Sequence, residues 1–150
     1  MTGIRFLGGS DIVNITDMEK SYIPKNKHDL NFLEDLENKN ISEIKDDIPK
    51  LLEWLQDGNW PVAPYVANYF LPHINEVKDE IIQILRTNDE MWKYWIINGL
   101  LYTSTIIPDK MILLELKKLA EKPTFNEKDA EVDISAIDVL EKFNANYKIL

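Results

Sequence analysis

The acid–base repertoire of this chain is thin, because its histidines are His28 and His73 alone and histidine is the side chain that changes charge near neutral pH. His28 stands between Lys27 and Asp29, and an imidazole beside a carboxylate is the smallest unit of general-base chemistry. Neighbouring helix positions diverge by about 100°, so His28 and Asp29 do not share a face, and Asp29 is better placed to cap a helix start. His73, Glu76 and Glu80 follow the i, i+3, i+7 spacing of one helical face and are the ligand types of a carboxylate-rich metal site. A di-metal bundle needs a second helix with its own set, which His28 alone does not supply, so these residues read as a solvated acidic face. No GxSxG, HExxH or phosphate-binding loop occurs, and Gly8-Gly9-Ser10 lacks a following Lys-Ser or Lys-Thr. The absence of cysteine removes thiolate ligands, a cysteine nucleophile and disulfides. No catalytic, metal or cofactor-binding residue is assigned, and the chain is expected not to be an enzyme.

Recognition is better supplied than catalysis. Trp54, Trp60, Tyr65, Tyr69, Trp92, Tyr94, Trp95 and Tyr102 crowd the middle of the chain, and Trp and Tyr are enriched at interface hot spots. The candidate partner-binding residues are Trp60, Tyr65, Asn68, Tyr69, Trp92 and Asn98. Tyr65 and Trp95 occupy one position of an internal repeat and read first as packing between hairpins. Trp60 differs, since it lies beside Gly58, Pro61 and Pro64 at a helix start, where full burial is harder and a groove contact easier. The 26 acidic residues against 17 basic leave a net charge of −9, a field that repels phosphate backbones and anionic lipid and attracts a basic protein. The expected partner is a basic protein, not nucleic acid or membrane.

The elements that must position these residues are helical. A chain of 150 residues, 45% apolar, with 5 Gly and 7 Pro, has enough core for one globular domain. Residues 1–23 form a separate extension, a loose hairpin with Ile4, Phe6, Leu7, Ile12, Val13 and Ile15 broken by Gly8 and Gly9; residues 24–146 form the helical domain. Asn26 and Asp29 are set to cap a helix with Leu30, Leu33 and Leu36 on one face. Ser42 starts the next segment, with Ile44, Ile48, Leu51, Leu52 and Leu55 in register, and Pro49 either kinks it or restarts it with Asp47 as cap. Further helices are expected from Trp60 to Leu71, Ile74 to Arg86, Glu90 to Tyr102, after Pro108, and behind a Thr124/Glu127 capping box. The helix from Glu90 is apolar all round and should be buried between neighbours. No apolar run reaches the ~18 residues of a membrane span, no signal-peptide pattern opens the chain, and a reducing, cytoplasmic setting fits the missing cysteines.

Shifting residues 42–71 by thirty positions lays Ile44 on Ile74, Leu51 on Ile81, Leu55 on Leu85, Tyr65 on Trp95, Val66 on Ile96 and Asn68 on Asn98. A unit of helix, short turn and helix cannot close its own core and stacks on copies of itself. The fold class expected is all-α, a short HEAT-like α-solenoid of about three stacked helical hairpins, with helices near 60–71, 90–102 and 127–143 on its inner face.

Three stretches carry a family resemblance: PKNKHDL (Pro24 to Leu30), LLEWLQDGNWPVA (Leu51 to Ala63) and NDEMWKYWI (Asn88 to Ile96), with PT-x-x-E at Pro123 to Glu127. Over roughly Pro24 to Phe143 the chain resembles a small bacterial family known as domain of unknown function 5071. The resemblance implies a helical, HEAT-like fold and no assigned activity, and it says nothing of Met1 to Tyr22. The function expected is a non-catalytic protein–protein interaction module with an acidic surface, of which an immunity-type toxin neutraliser is one form by fold-level analogy. The alternative is a HEAT-like nucleic-acid-processing enzyme, which needs a basic cleft where the inner helices bring little beyond Lys93.

Overall fold

Short polar turns divide the chain into helices at the places where proline and side-chain caps interrupt the apolar stripe. The structure is a computed structural model and describes residues 20–144. Residues 1–19, most of the expected extension and its hairpin, and residues 145–150 lie outside the described residues. All regular elements among the described residues are helical: α1 (Leu33–Glu37), a 3₁₀ segment (Ile41–Asp47), α2 (Ile48–Leu52), a 3₁₀ turn (Glu53–Leu55) and α3 (Ala63–Phe70), which tightens into another 3₁₀ turn (Leu71–His73). Then come α4 (Lys78–Leu85), α5 (Glu90–Ile96) with a π-helical continuation (Ile97–Leu101), α6 (Lys110–Glu121), α7 (Phe125–Asp129) and α8 (Val132–Lys142). None of them is long and apolar enough to cross a membrane.

Several boundaries differ from the sequence expectation, each for a local reason. Asp29 accepts from the backbone amides of Lys25 and Asn31, both at 3.0 Å, and Asn26 accepts from that of His28 at 2.9 Å. These side chains hold residues 24–32 in turns, so α1 starts only at Leu33 and Leu30 is exposed rather than aligned with Leu36. Asn40, not Ser42, opens the following segment, with Glu43 reaching back to the Asn40 amide at 2.9 Å. The helix restarts at Pro49, in the first turn of α2 where its missing N–H costs nothing. Asp47 caps nothing: its carboxylate takes a bond from Lys20 at 3.0 Å and another from the Tyr22 hydroxyl. Burial pushes the Asp47 carboxyl up, but these two bonds outweigh it and hold the group below its ordinary range. Burial and the facing carboxylate push the Tyr22 hydroxyl the other way. With Ile23 buried and Tyr22 packed on the core, residues 20–23 belong to the folded body.

The capping box is formed, Thr124 and Glu127 exchanging bonds of 2.8 and 3.1 Å, but it heads only α7. Glu131, left-handed at φ 63°, separates α7 from α8, so the expected last helix is two.

Packing is pairwise and sequential. Helix α2 lies on α3, α4 on α5, and α6 on α8; between these hairpins α1 meets α3, α3 meets the π turn, α5 and the π turn meet α8, and α4 meets α6. The thirty-residue register has a physical counterpart, because Ile44 and Ile74, Leu51 and Ile81, Leu55 and Leu85, and Val66 and Ile96 are all buried in one core. Tyr65 breaks it: read as core, it is 42% exposed, whereas Trp95 is half-buried. The α5 segment is likewise not buried all round, since Met91 and Tyr102 at its ends are exposed.

Candidate functional site

Helix α3 and the α5–π segment approach each other through small residues, and a groove of about 270 Å³ runs between them. Ala63, Pro64 and Ala67 line it from α3, and Trp95 and Gly99 from the facing segment. Leu55 and Leu71 add apolar surface, and Asn68 and Thr103 supply the polar rim. Two glycines shape it differently. A Cβ on Gly58 would come within 2.3 Å of the Trp95 ring, so the Asp57-Gly58-Asn59 turn lets the indole lie against bare backbone. A Cβ on Gly99 would meet nothing within 4 Å, so the space over Gly99 is open. Gly99 lies in the π turn, whose wide ring is closed by the Tyr102 amide on the Ile97 carbonyl at 2.8 Å; such single π turns recur at functional sites. The Trp95 indole nitrogen is buried without a hydrogen-bond partner among the described residues, as is one carboxylate oxygen of Asp133 on α8. Such orphans are uncommon in native structures.

Beyond α3 lies a second, more polar depression of about 430 Å³, bounded by Leu33, Glu37, Lys39, Tyr69 and His73, with Tyr65 and Asn68 along its α3 edge. Asn68 lines both depressions. The Tyr69 hydroxyl donates to the Lys39 carbonyl at 2.8 Å, and burial, with Glu43 and Glu76 nearby, pushes its pKa up. His73 Nδ1 lies 2.5 Å from Glu76 Oε1, and its ring tilts against Tyr69 at 5.5 Å.

The candidate residues therefore part company. Tyr65 and Asn68 form the exposed crest between the two depressions. Tyr69 stands on one flank with its hydroxyl engaged. Trp92 donates to the Leu52 carbonyl at 3.1 Å, tying α5 to α2. Asn98 donates to the Tyr94 carbonyl and to Ser135 Oγ, both at 2.9 Å, tying the π turn to α8. Trp60 packs partly buried, edge-on to Trp54 at 5.7 Å and 71°, and does not line the groove.

Sequence reasoning counted Lys93 as a positive charge on the inner helices and missed that it is buried in an ion pair. It is 1% exposed, its ammonium lies 2.6 Å from Glu127 and 3.6 Å from Glu90, and Glu127 also closes the capping box of α7. Burial pushes the Glu127 carboxyl up, yet the bonds from Lys93 and Thr124 hold it below its ordinary value. The available signal was a single lysine in a helix apolar on every side. Because the pair is satisfied from within the fold, it joins α5 to α7 rather than reaching out to a ligand.

Neither histidine meets chemical partners at the groove: His28 is exposed in a turn, and His73 is held by Glu76. Among the described residues no group of three His, Cys, Asp or Glu is arranged to hold a metal ion. The model of a family described as a domain of unknown function, DUF5071, matches residues 22–140, a span that contains the groove and both of its walls. No curated protein matches the chain.

Proposed function

The chain belongs to the family of domain of unknown function 5071, and from that footing we propose that it is a non-catalytic protein–protein interaction module whose docking face is the crest of α3 with the depressions on either side. The observation that carries this reading is the groove itself: small residues on both walls, open space over Gly99, and a rim where the Asn68 side chain makes no hydrogen bond among the described residues. Sites that take a partner's anchor side chain are concave and mostly apolar with a few polar groups. The hairpins are read as a HEAT-like stack, supported by the shared burial of Ile44 and Ile74, Leu51 and Ile81, Leu55 and Leu85, and Val66 and Ile96. A stack of this kind presents one extended face to its partner.

A basic protein is the partner proposed, because the chain carries −9 and Lys93, on the segment that walls the groove, is withdrawn into an ion pair. Both facts also weigh against the nucleic-acid reading, which needs exposed cations on that face. Neutralisation of a basic toxin is one function such a module would serve.

A photo-crosslinking amino acid placed at Asn68 tests the face against one placed at Met111, which is exposed on α6. The reading predicts that one protein crosslinks from position 68 in the native cell and not from position 111. Equal crosslinking from both positions, or from neither, would sink it.

A further inference from the structure

We propose that the docking face holds an extended basic segment of its partner, with an apolar side chain in the groove over Gly99 and a Lys or Arg side chain about three residues along the segment in the depression beside Glu37 and Glu76. The inference rests on the docking-face reading and adds the chemistry and spacing of the occupant.

Three observations carry it. The groove is walled by Ala63, Ala67 and Trp95 and has no charged residue in its lining, so it accepts an uncharged, apolar group and rejects a charged one that would lose its water there. The spacing follows from α3: Asn68 lines both depressions, so one helix separates them. A helix with its side chains is about 10 Å across, and an extended chain advances about 3.3 Å per residue, which sets the two anchors about three residues apart.

The charge comes from the surroundings of the polar depression. Glu37 borders it, and Glu76 stands at His73 with an exposed carboxylate. Of the cations there, Lys39 lies over the Tyr22 ring at 5.8 Å and His73 is held by Glu76. Exposed Tyr65, on the crest between, offers a ring face to a guanidinium crossing it. The net charge of the chain has the same sign as these carboxylates, so attraction at long range and at contact select the same class of segment.

Random twelve-residue peptides displayed on phage, selected on the full chain, test this directly. The expected consensus is an apolar residue with Lys or Arg three positions away. The synthetic consensus peptide, followed by fluorescence anisotropy, is expected to bind at least about tenfold more weakly to Gly99→Leu and several-fold more weakly to Glu37→Lys. Gly99→Ala is the second variant at that position; the open space over Gly99 accommodates its methyl, and circular dichroism checks the fold of both. A consensus that is acidic or uncharged, with binding still lost in Gly99→Leu, overturns the basic-segment inference and leaves the docking face standing. Binding unchanged in Gly99→Leu and Gly99→Ala, or no selected peptide at all, overturns both.

Discussion

Asn68 and Asn98 stand thirty residues apart at matching places in two successive hairpins, and they do opposite things. Asn98 spends its amide on the Tyr94 carbonyl and Ser135, whereas Asn68 lies exposed between two depressions. Their neighbours explain the difference. The second hairpin has α3 on one side and α8 on the other, so its polar groups bridge helices. Among the described residues the first has α1, a helix of 5 residues, on its outer side, and the polar depression lies between α1 and α3. Lys93 and Ala63, at the same offset, repeat the lesson: Lys93 is locked to Glu127 beneath the third hairpin, while Ala63 walls the groove. Matching positions of the thirty-residue register thus differ in role according to the helices packed around them.

The largest expected effect strikes the braced hairpin. Lys93→Ala leaves the Glu127 carboxylate buried without its partner and should cost about 3–5 kcal/mol in urea unfolding. A loss under ~1 kcal/mol would mean that the pair braces nothing.

Next, Leu55→Ala and Leu85→Ala should each cost about 2–5 kcal/mol and by similar amounts, since these are matching buried positions of the two hairpins. If one truncation were tolerated and the other not, the hairpins would not share a core layer, and the thirty-residue equivalence would fail.

The asparagines sharpen the contrast at lower cost. Asn98→Ala should destabilise by about 1–3 kcal/mol, because it removes two bonds inside the fold, while Asn68→Ala should stay within about 0.5 kcal/mol. Thermal melts of the two variants side by side decide this, and equal losses would return Asn68 to a structural role.

The smallest effect is read in the pH dependence. The Glu127 carboxyl is held below its unfolded value of 4.5, so its pairing stabilises the fold above that pH, and the contribution fades as pH falls through the lower folded value. Asp47 and Asp109 are lowered as well and share the same acid limb. Stability measured from neutral pH downward should fall less steeply in Glu127→Gln, which keeps an oxygen for the Thr124 amide. An unchanged slope would show that the buried pair is not linked to acid unfolding.

Much of the fold was legible from spacing. The apolar register from Ile44 to Leu140 named the core, a helix does begin at Glu90, and the Thr124/Glu127 box is formed. These features are local, governed by residues within a turn of one another, and a sequence displays them directly. The helix starts near Asn26 and Ser42 were misread for a related reason: Asn and Asp side chains bond neighbouring amides in turns as readily as at caps, and only the tertiary setting chooses.

The candidate site was half legible. Residue type marked Asn68, Trp92 and Asn98 alike, because a Trp or Asn has the same chemistry whether its N–H meets a partner protein or a neighbouring helix, and the repeat read Tyr65 first as packing although it is exposed. The sequence by itself determined that the elements are helical, the apolar stripe from Ile44 to Leu140, the thirty-residue register and the sign of the charge. The tertiary structure alone decided that Lys93 meets Glu127 across 34 positions, that Gly58 makes room for Trp95, and that the space over Gly99 stays open. Contacts between distant residues depend on how whole helices pack, which is set by the sum of many small dispersion and burial terms rather than by any one residue's pattern.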